Sequence, residues 1–132
     1  CGRTGKGGGC GFYDYHESGK KTLWPGLVER FKTAKFQPDV EHLIQRFLST
    51  QALESVRCIE QGVLIEAADI DYAAIMGWGF APHTGGPLTM IDTIGVPEFV
   101  ARCDSLAASY GDRFDPPQLL RNLAERGQKL RP

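Results

Sequence analysis

The side chains best suited to proton transfer in this sequence are its three histidines, because an imidazole titrates near neutral pH. None of them has a serine, a cysteine or a second histidine at a spacing that would build a local site. His16 stands in a polar stretch and His42 in the first turn of an expected helix, so both are predicted to be solvated. His83 stands in a Gly-rich loop, where the backbone can approach a ligand or another domain closely. A hydrogen bond from His83 to a backbone carbonyl is the favoured role.

The Gly-rich start, residues 1–11, does not meet the requirements of a phosphate-binding loop. A Walker loop needs GxxxxGK followed by Ser or Thr, whereas Lys6 is followed by Gly7. A dinucleotide-binding GxGxxG also needs a preceding strand and a following helix, and neither is indicated here. The segment is therefore predicted to be a flexible or tightly turned linker, and the chain itself is expected to bind no cofactor.

The acidic residues and cysteines also fail to form a local site. Asp69 and Asp71 are two residues apart, so on a helix they point in different directions and cannot act as a carboxylate pair. The four cysteines show no CxxC spacing and have no histidine at the spacing of a metal finger. The residues thus predict no catalytic residue, no metal site and reduced thiols.

The elements that would position these side chains are predicted to be helices. Apolar residues recur at a spacing close to 3.6, and Gly, Pro and Asp mark the boundaries. No alternating strand pattern of useful length is visible, and 22–37 fits either a packed loop or a short helix. The fold class is therefore all-α, a bundle of about five helices joined by Gly/Pro loops. The predicted helices are 39–61, 66–76, 88–94, 96–110 and 116–126.

The longest predicted helix, 39–61, should bury one continuous apolar stripe. Gln51 and Ser55 interrupt that stripe. They could mark the border between core and solvent, or make polar contacts across a helix–helix or domain interface, and the sequence leaves both open. The stripe consists of Val40, Leu43, Ile44, Phe47, Leu48, Ala52, Val56, Ile59 and Val63.

The bulk composition is that of an ordinary globular domain. The chain has 132 residues, 42% of them hydrophobic and 23% charged, and a net charge of -1. This balance indicates no nucleic-acid partner, and no apolar run approaches the roughly 18 residues of a membrane span. Because the chain starts at Cys1 and not at Met, we expect it to be a fragment of a longer protein.

Four segments, in order along the chain, resemble the C-terminal domain of 3-hydroxyacyl-CoA dehydrogenases. They are GRTGKGGGCGFYDY at 2–15, RCIEQGVLIEAADIDYAAIMGWGF at 57–80, HTGGPLTMIDTIG at 83–95 and the tail LAASYGDRFDPPQLLRNLAERG at 106–127. The tail is similar to the last domain of the multifunctional fatty-acid oxidation enzymes, which carry two such domains in tandem. The resemblance implies a bundle like the C-terminal domain of 6-phosphogluconate dehydrogenase.

The resemblance also implies a parent enzyme that oxidises (3S)-3-hydroxyacyl-CoA with NAD⁺ in the cytoplasm or an organelle interior. Its catalytic His and Glu lie in the nucleotide-binding domain, and neither motif occurs here. The Asn that an active repeat carries on its long helix is also not evident, since that stretch reads STQALESVRC. A supporting repeat is therefore expected, with no catalytic residue and NAD bound only by the parent.

The expected role is packing against sister dehydrogenase domains, next to the acyl-CoA substrate of the parent. The contact element would be the 77–87 loop, although core packing is an equal alternative for its aromatic residues. Residues 1–37 are predicted to form a Gly-rich leading segment of the module and 38–132 its helical part. The alternative function is a stand-alone interaction or dimerisation module, with self-association of the chain. The candidate interface residues are Trp78, Phe80, His83, Gly85, Gly86 and Gln51.

Overall fold

The computed structural model describes residues 2–31 and 37–131. They divide into an N-terminal unit, Cys1–Gln37, and a helical unit, Pro38–Pro132. In the N-terminal unit, strand β1 (Tyr13–Tyr15) pairs antiparallel with strand β2 (Lys21–Leu23), and the short helix α1 (Leu27–Arg30) follows. This small two-stranded sheet is an addition to the predicted all-α class, because no strand pattern was visible in the sequence. Three-residue strands are too short to show an alternating pattern.

The Gly-rich start is a tight turn and not a flexible linker. The Gly5 amide donates to the Cys10 carbonyl at 2.9 Å, and a single 3₁₀ turn, Lys6–Gly8, lies between them. Arg3 holds this turn to β1: its Nε donates to the Gly11 carbonyl at 2.7 Å, and its guanidinium pairs with Asp14. The turn is thus ordered around one arginine.

The described residues of the helical unit, 38–131, form five α-helices, in agreement with the predicted all-α bundle. Most of its core lies where the long second helix of the chain meets the helices that follow. The five helices are α2 (Val40–Glu60), α3 (Ala67–Trp78), α4 (Pro87–Ile94), α5 (Val96–Tyr110) and α6 (Gln118–Arg126).

Two helix boundaries differ from the prediction by two residues, and the others agree within one residue. Helix α3 passes through Gly77 and ends at Trp78, because Gly79, with φ 76°, is the residue that adopts the left-handed conformation. Helix α6 begins at Gln118 after Pro117, and not at Pro116 with Asp115 as its cap. Asp115 precedes the helix, and its carbonyl accepts a hydrogen bond from Arg57 at 2.9 Å.

Helix α2 carries apolar residues on two faces, which corrects the prediction of one buried stripe. Its core face contains Ala52, Leu53 and Val56, all completely buried. By contrast, Val40 and Phe47 are each 68% exposed and Ile44 is 45% exposed. At about 100° per residue, the exposed three fall within about 60° of one another and lie nearly opposite the core face. One helix thus presents an internal and an external apolar row.

Candidate domain-docking surface

The exposed large apolar side chains of the helical unit all come from its first part in sequence, residues 40–78. All of the large ones lie on α2, on α3 or on the loop between them, and the described residues of α4, α5 and α6 expose none. An exposed apolar patch of this kind is typical of an interaction surface. The side chains are Val40, Ile44, Phe47, Val63, Leu64, Ile65, Tyr72, Met76 and Trp78.

The two helices are joined at this surface by Gln51 and Trp78. The indole Nε1 of Trp78 donates to Gln51 Oε1 at 2.9 Å, while the Trp78 side chain stays 57% exposed. Gln51 stands one turn after Phe47 and donates to the Phe47 carbonyl at 3.2 Å. We call Val40, Ile44, Phe47, Gln51 and Trp78 the docking row. Gln51 therefore orients an aromatic side chain that remains available to a partner.

Two grooves flank the docking row and share Gln51. The first has a volume of about 270 Å³ and lies between α2 and the turn that follows α5. The second has a volume of about 330 Å³ and lies between α2 and α3. The first is lined by Leu43, Arg46, Phe47, Thr50, Gln51, Arg113 and Phe114, and the second by Gln51, Glu54, Ser55, Cys58, Leu64, Ile70, Ala73 and Trp78.

The candidate interface residues of the 77–87 loop differ in whether they are buried or exposed. Phe80 is only 2% exposed and belongs to the core, so core packing describes its side chain and an interface contact does not. His83 is exposed, and no hydrogen bond to its ring occurs within residues 2–31 and 37–131. Gly85 is exposed and Gly86 is buried. A Cβ added at Gly85 would meet Thr89, and one added at Gly86 would meet Asp71. The structure therefore brings together only Gln51 and Trp78 of the six candidates.

Asp71 organises the start of α4, a role that the sequence did not reveal. Asp71 is buried, with 4% of its surface exposed. Its Oδ1 accepts a hydrogen bond from the Leu88 amide at 2.7 Å. Oδ2 accepts the Thr89 hydroxyl at 2.6 Å and the Thr89 amide at 3.2 Å. The same carboxylate also forms an ion pair with Arg131, whose Nη1 lies 3.3 Å from Oδ2. A carboxylate at a helix N-terminus satisfies amides that have no partner within the helix and complements the helix dipole.

The signal that could have revealed Asp71 is indirect. Helix α4 begins with Gly86 and Pro87, and no side chain of that segment caps it. A helix start without a local cap needs a remote acceptor. However, the spacing of Asp71 from α4 follows no short-range rule.

The histidines do not meet a carboxylate in the part of the chain that the structure describes. His16 Nε2 lies 3.0 Å from the Thr22 hydroxyl and is exposed. His42, which was predicted to be solvated, is half-buried instead: its Nε2 lies 3.0 Å from the Tyr110 hydroxyl, and the two rings are 5.7 Å apart. His42 is shielded from solvent because Tyr110, at the end of α5, packs over the first turn of α2.

Two kinds of feature are absent from the described ranges, 2–31 and 37–131. These ranges contain no cluster of three or more His, Cys, Asp or Glu side chains that could hold a metal ion. None of their helices combines the length and apolar character needed to cross a bilayer. Cys10, Cys58 and Cys103 are free thiols, and burial raises the pKa of Cys103 from 9.0 to about 12.

Comparison with known proteins gives consistent matches. The model of the 3-hydroxyacyl-CoA dehydrogenase C-terminal domain matches residues 42–131. The fatty acid oxidation complex subunit alpha of Acinetobacter baylyi is 36% identical over 136 residues, covering 97% of this chain and 19% of that protein. The subunit of the same name from Vibrio cholerae O395 is 34% identical over 131 residues, covering 98% and 18%.

A solved structure has a similar fold over about two thirds of this chain. The crystal structure of M. tuberculosis FadB2 superposes with a TM-score of 0.56 and 26% sequence identity, covering 64% of this chain and 28% of that chain. The chain thus spans about a fifth of the length of the Acinetobacter relative.

Proposed function

Since the chain belongs to the family of 3-hydroxyacyl-CoA dehydrogenase C-terminal domains, we propose that it is a packing module of an NAD-dependent dehydrogenase. Its role is to dock against sister domains of the same enzyme and to support the substrate-side wall of their active site. Residues 1–37 and 38–132 act together as this module. The proposed setting is fatty-acid β-oxidation, in the cytoplasm or an organelle interior.

The observation that carries this proposal is the uneven distribution of exposed apolar residues among the helices. The docking row and the neighbouring α2–α3 loop expose large hydrophobic side chains, whereas α4–α6 expose none among the described residues. Leaving such a surface in water is unfavourable, at roughly 25 cal/mol for each Å² of apolar area. Covering it with another domain removes that penalty, and a module that acts alone gains nothing from it.

The proposal assigns the chemistry to other parts of the enzyme. In it, the nucleotide-binding domain would hold NAD⁺, which would accept the hydride from C3 of the acyl-CoA, and a histidine base of that domain would take the proton of the 3-hydroxyl group. The present chain supplies neither group. Its histidines bond the hydroxyl groups of Thr22 and Tyr110 or face solvent.

A domain exchange tests the proposal. The 136-residue segment of the A. baylyi subunit that aligns with this chain is replaced by this chain. NADH formation from (3S)-3-hydroxyacyl-CoA is then measured. We expect the exchanged enzyme to be active, and the same enzyme carrying Phe47→Asp to be strongly impaired. Glu125→Gln, an exposed change on α6, serves as the control and should leave the activity unchanged.

The isolated chain provides the complementary assay. NADH formation by the 132-residue chain and NAD⁺ binding by calorimetry should both be absent. NADH formation by the isolated chain would refute the proposal that catalysis takes place in other domains of the enzyme. Full activity of the Phe47→Asp exchange enzyme would refute docking through this surface.

A second candidate function, self-association, is favoured by the same exposed row. Two copies could cover each other through α2, as in a dimerisation module. Sedimentation at several concentrations separates the two functions, because self-association depends on concentration and docking within one chain does not. A monomer at all concentrations, together with an active exchange enzyme, would exclude self-association as the main role.

A further inference from the structure

The groove beside the docking row contains two arginines that have no acidic partner. Arg46 on α2 and Arg113 in the turn after α5 both line this groove of about 270 Å³, together with the apolar side chains of Leu43 and Phe47. Within the described residues, neither arginine forms an ion pair. Four other arginines of the chain, Arg3, Arg57, Arg121 and Arg131, do pair with carboxylates.

Arg46 is held in position by an aromatic ring, and one of its donors is not used. Its guanidinium carbon lies 3.9 Å from the centre of the Tyr110 ring, the geometry of a cation–π contact. Its Nε atom is buried and has no hydrogen-bond partner in the described part of the chain. The guanidinium as a whole also lacks a counter-charge within the described residues, so it is poised to gain from an anion at its accessible edge.

Arg113 is held in place by hydrogen bonds to the end of α5, where Tyr110 lies. Its Nη2 donates to the Tyr110 carbonyl at 3.2 Å, and its Nε is 3.4 Å from that oxygen. Its guanidinium carbon also lies 5.6 Å from the Phe114 ring centre. Both cations are therefore arranged around one residue, Tyr110, before any partner arrives. This preorganisation lowers the entropic cost of binding.

We propose that this groove receives the carboxylate of an Asp or Glu side chain of the docking partner, flanked there by apolar residues. The two guanidinium groups supply donors that match a carboxylate, and Leu43 and Phe47 cover the apolar neighbours of that side chain. The proposal rests on the proposed docking function and specifies the chemistry of its partner.

A different protein segment fits this groove better than a second copy of the chain. The next acidic residue along the face of the docking row is Glu54, one turn beyond Gln51. Glu54 already pairs with Arg57 at 2.8 Å. A second copy docking through the same row would thus bring an already paired carboxylate, and would place further arginines near Arg46 and Arg113.

Two matched peptides test the inference. One is an amphipathic helix of Leu, Ala and Lys with a single central Glu, and its twin carries Gln at that position. Binding of each labelled peptide to the 132-residue chain is measured by fluorescence anisotropy. We expect the Glu peptide to bind about five- to tenfold more tightly, with a preference that declines as salt is added.

The variants identify the groove as the source of that preference. Arg113→Gln, an exposed change, should reduce the ratio of the two affinities to about one, and Arg46→Met should do the same if circular dichroism shows it folded. The control Arg126→Gln removes an exposed, unpaired arginine at the end of α6 and should keep the ratio. Equal binding of both peptides to the unmodified chain would overturn the carboxylate site and leave docking intact. Failure of the domain exchange would count against docking itself.

Discussion

Asp71 on α3 accepts a hydrogen bond from the backbone amide of Leu88, 2.7 Å away, at the point where α4 begins. The two residues are 17 positions apart, so this contact ties two helices together as well as capping one. Arg131 binds the same carboxylate, and its own amide and that of Leu130 donate to Asp92 at 2.9 and 2.8 Å. The C-terminal residues are thereby fastened to α4.

Replacing this carboxylate should destabilise the fold. Asp71→Asn keeps the shape but removes the charge and turns one acceptor into a donor that faces other donors. We expect the free energy of unfolding to fall by about 2–4 kcal/mol, measured by urea denaturation. Asp69→Asn, an exposed change on the same helix, should cost less than about 1 kcal/mol. Equal losses in the two variants would contradict the role of Asp71.

Two glycine substitutions should act in opposite directions. A Cβ at Gly86 would lie 2.5 Å from three atoms of Asp71, and its φ of +113° is strained for any other residue. Gly86→Ala should therefore cost about 3 kcal/mol or more. At Gly77, inside α3, a Cβ meets nothing within 4 Å, so Gly77→Ala should stabilise by about 0.5–1 kcal/mol. Thermal unfolding of both variants is the measurement.

Substitutions of two phenylalanines should distinguish an effect on folding stability from an effect on docking. Phe80 is 2% exposed and Phe47 is 68% exposed. Phe80→Ala should lower the free energy of unfolding by about 3–5 kcal/mol, while Phe47→Ala should change it by less than about 1 kcal/mol. In the exchanged dehydrogenase, however, Phe47→Ala should reduce activity. A large loss of stability in the isolated Phe47 variant would mean that this ring supports the core.

The buried thiol of Cys103 makes stability depend on alkaline pH. Burial raises its pKa from 9.0 to about 12, so the unfolded chain loses this proton at a lower pH than the folded chain does. The stabilisation is fully present below pH 9.0 and is lost as pH rises toward about 12. In that window the unmodified chain should lose up to about 1.4 kcal/mol per pH unit more than Cys103→Ala. Parallel pH profiles of the two proteins would contradict this.

The sequence predicted the helices well because their periodicity and glycine ends are local properties. It located α5 at its observed bounds, 96–110. It merged the two rows of α2 into one stripe, because periodicity reports that residues are apolar and not which neighbour covers them. Val40 and Val56 look alike in the sequence, yet one is exposed and the other is buried.

The candidate surface was only partly visible in the sequence. Gln51 stood out as a polar residue in an apolar stripe, and Trp78 as a large side chain beside glycines. Their hydrogen bond across 27 positions required the packing of α2 on α3. Arg46 and Arg113 were not identified, since they are 67 positions apart and meet at one groove through packing against Tyr110.

The two-faced character of α2 has a kinetic consequence. Its exposed row does not contribute to the core of the helical unit, so folding and assembly can proceed as consecutive steps. Within one polypeptide, the second step would be governed by effective concentration, of the order of millimolar for a short tether. Under the proposed docking function, a weak contact would then stay closed nearly all the time, and the exposed row would be open to unintended partners only briefly during synthesis.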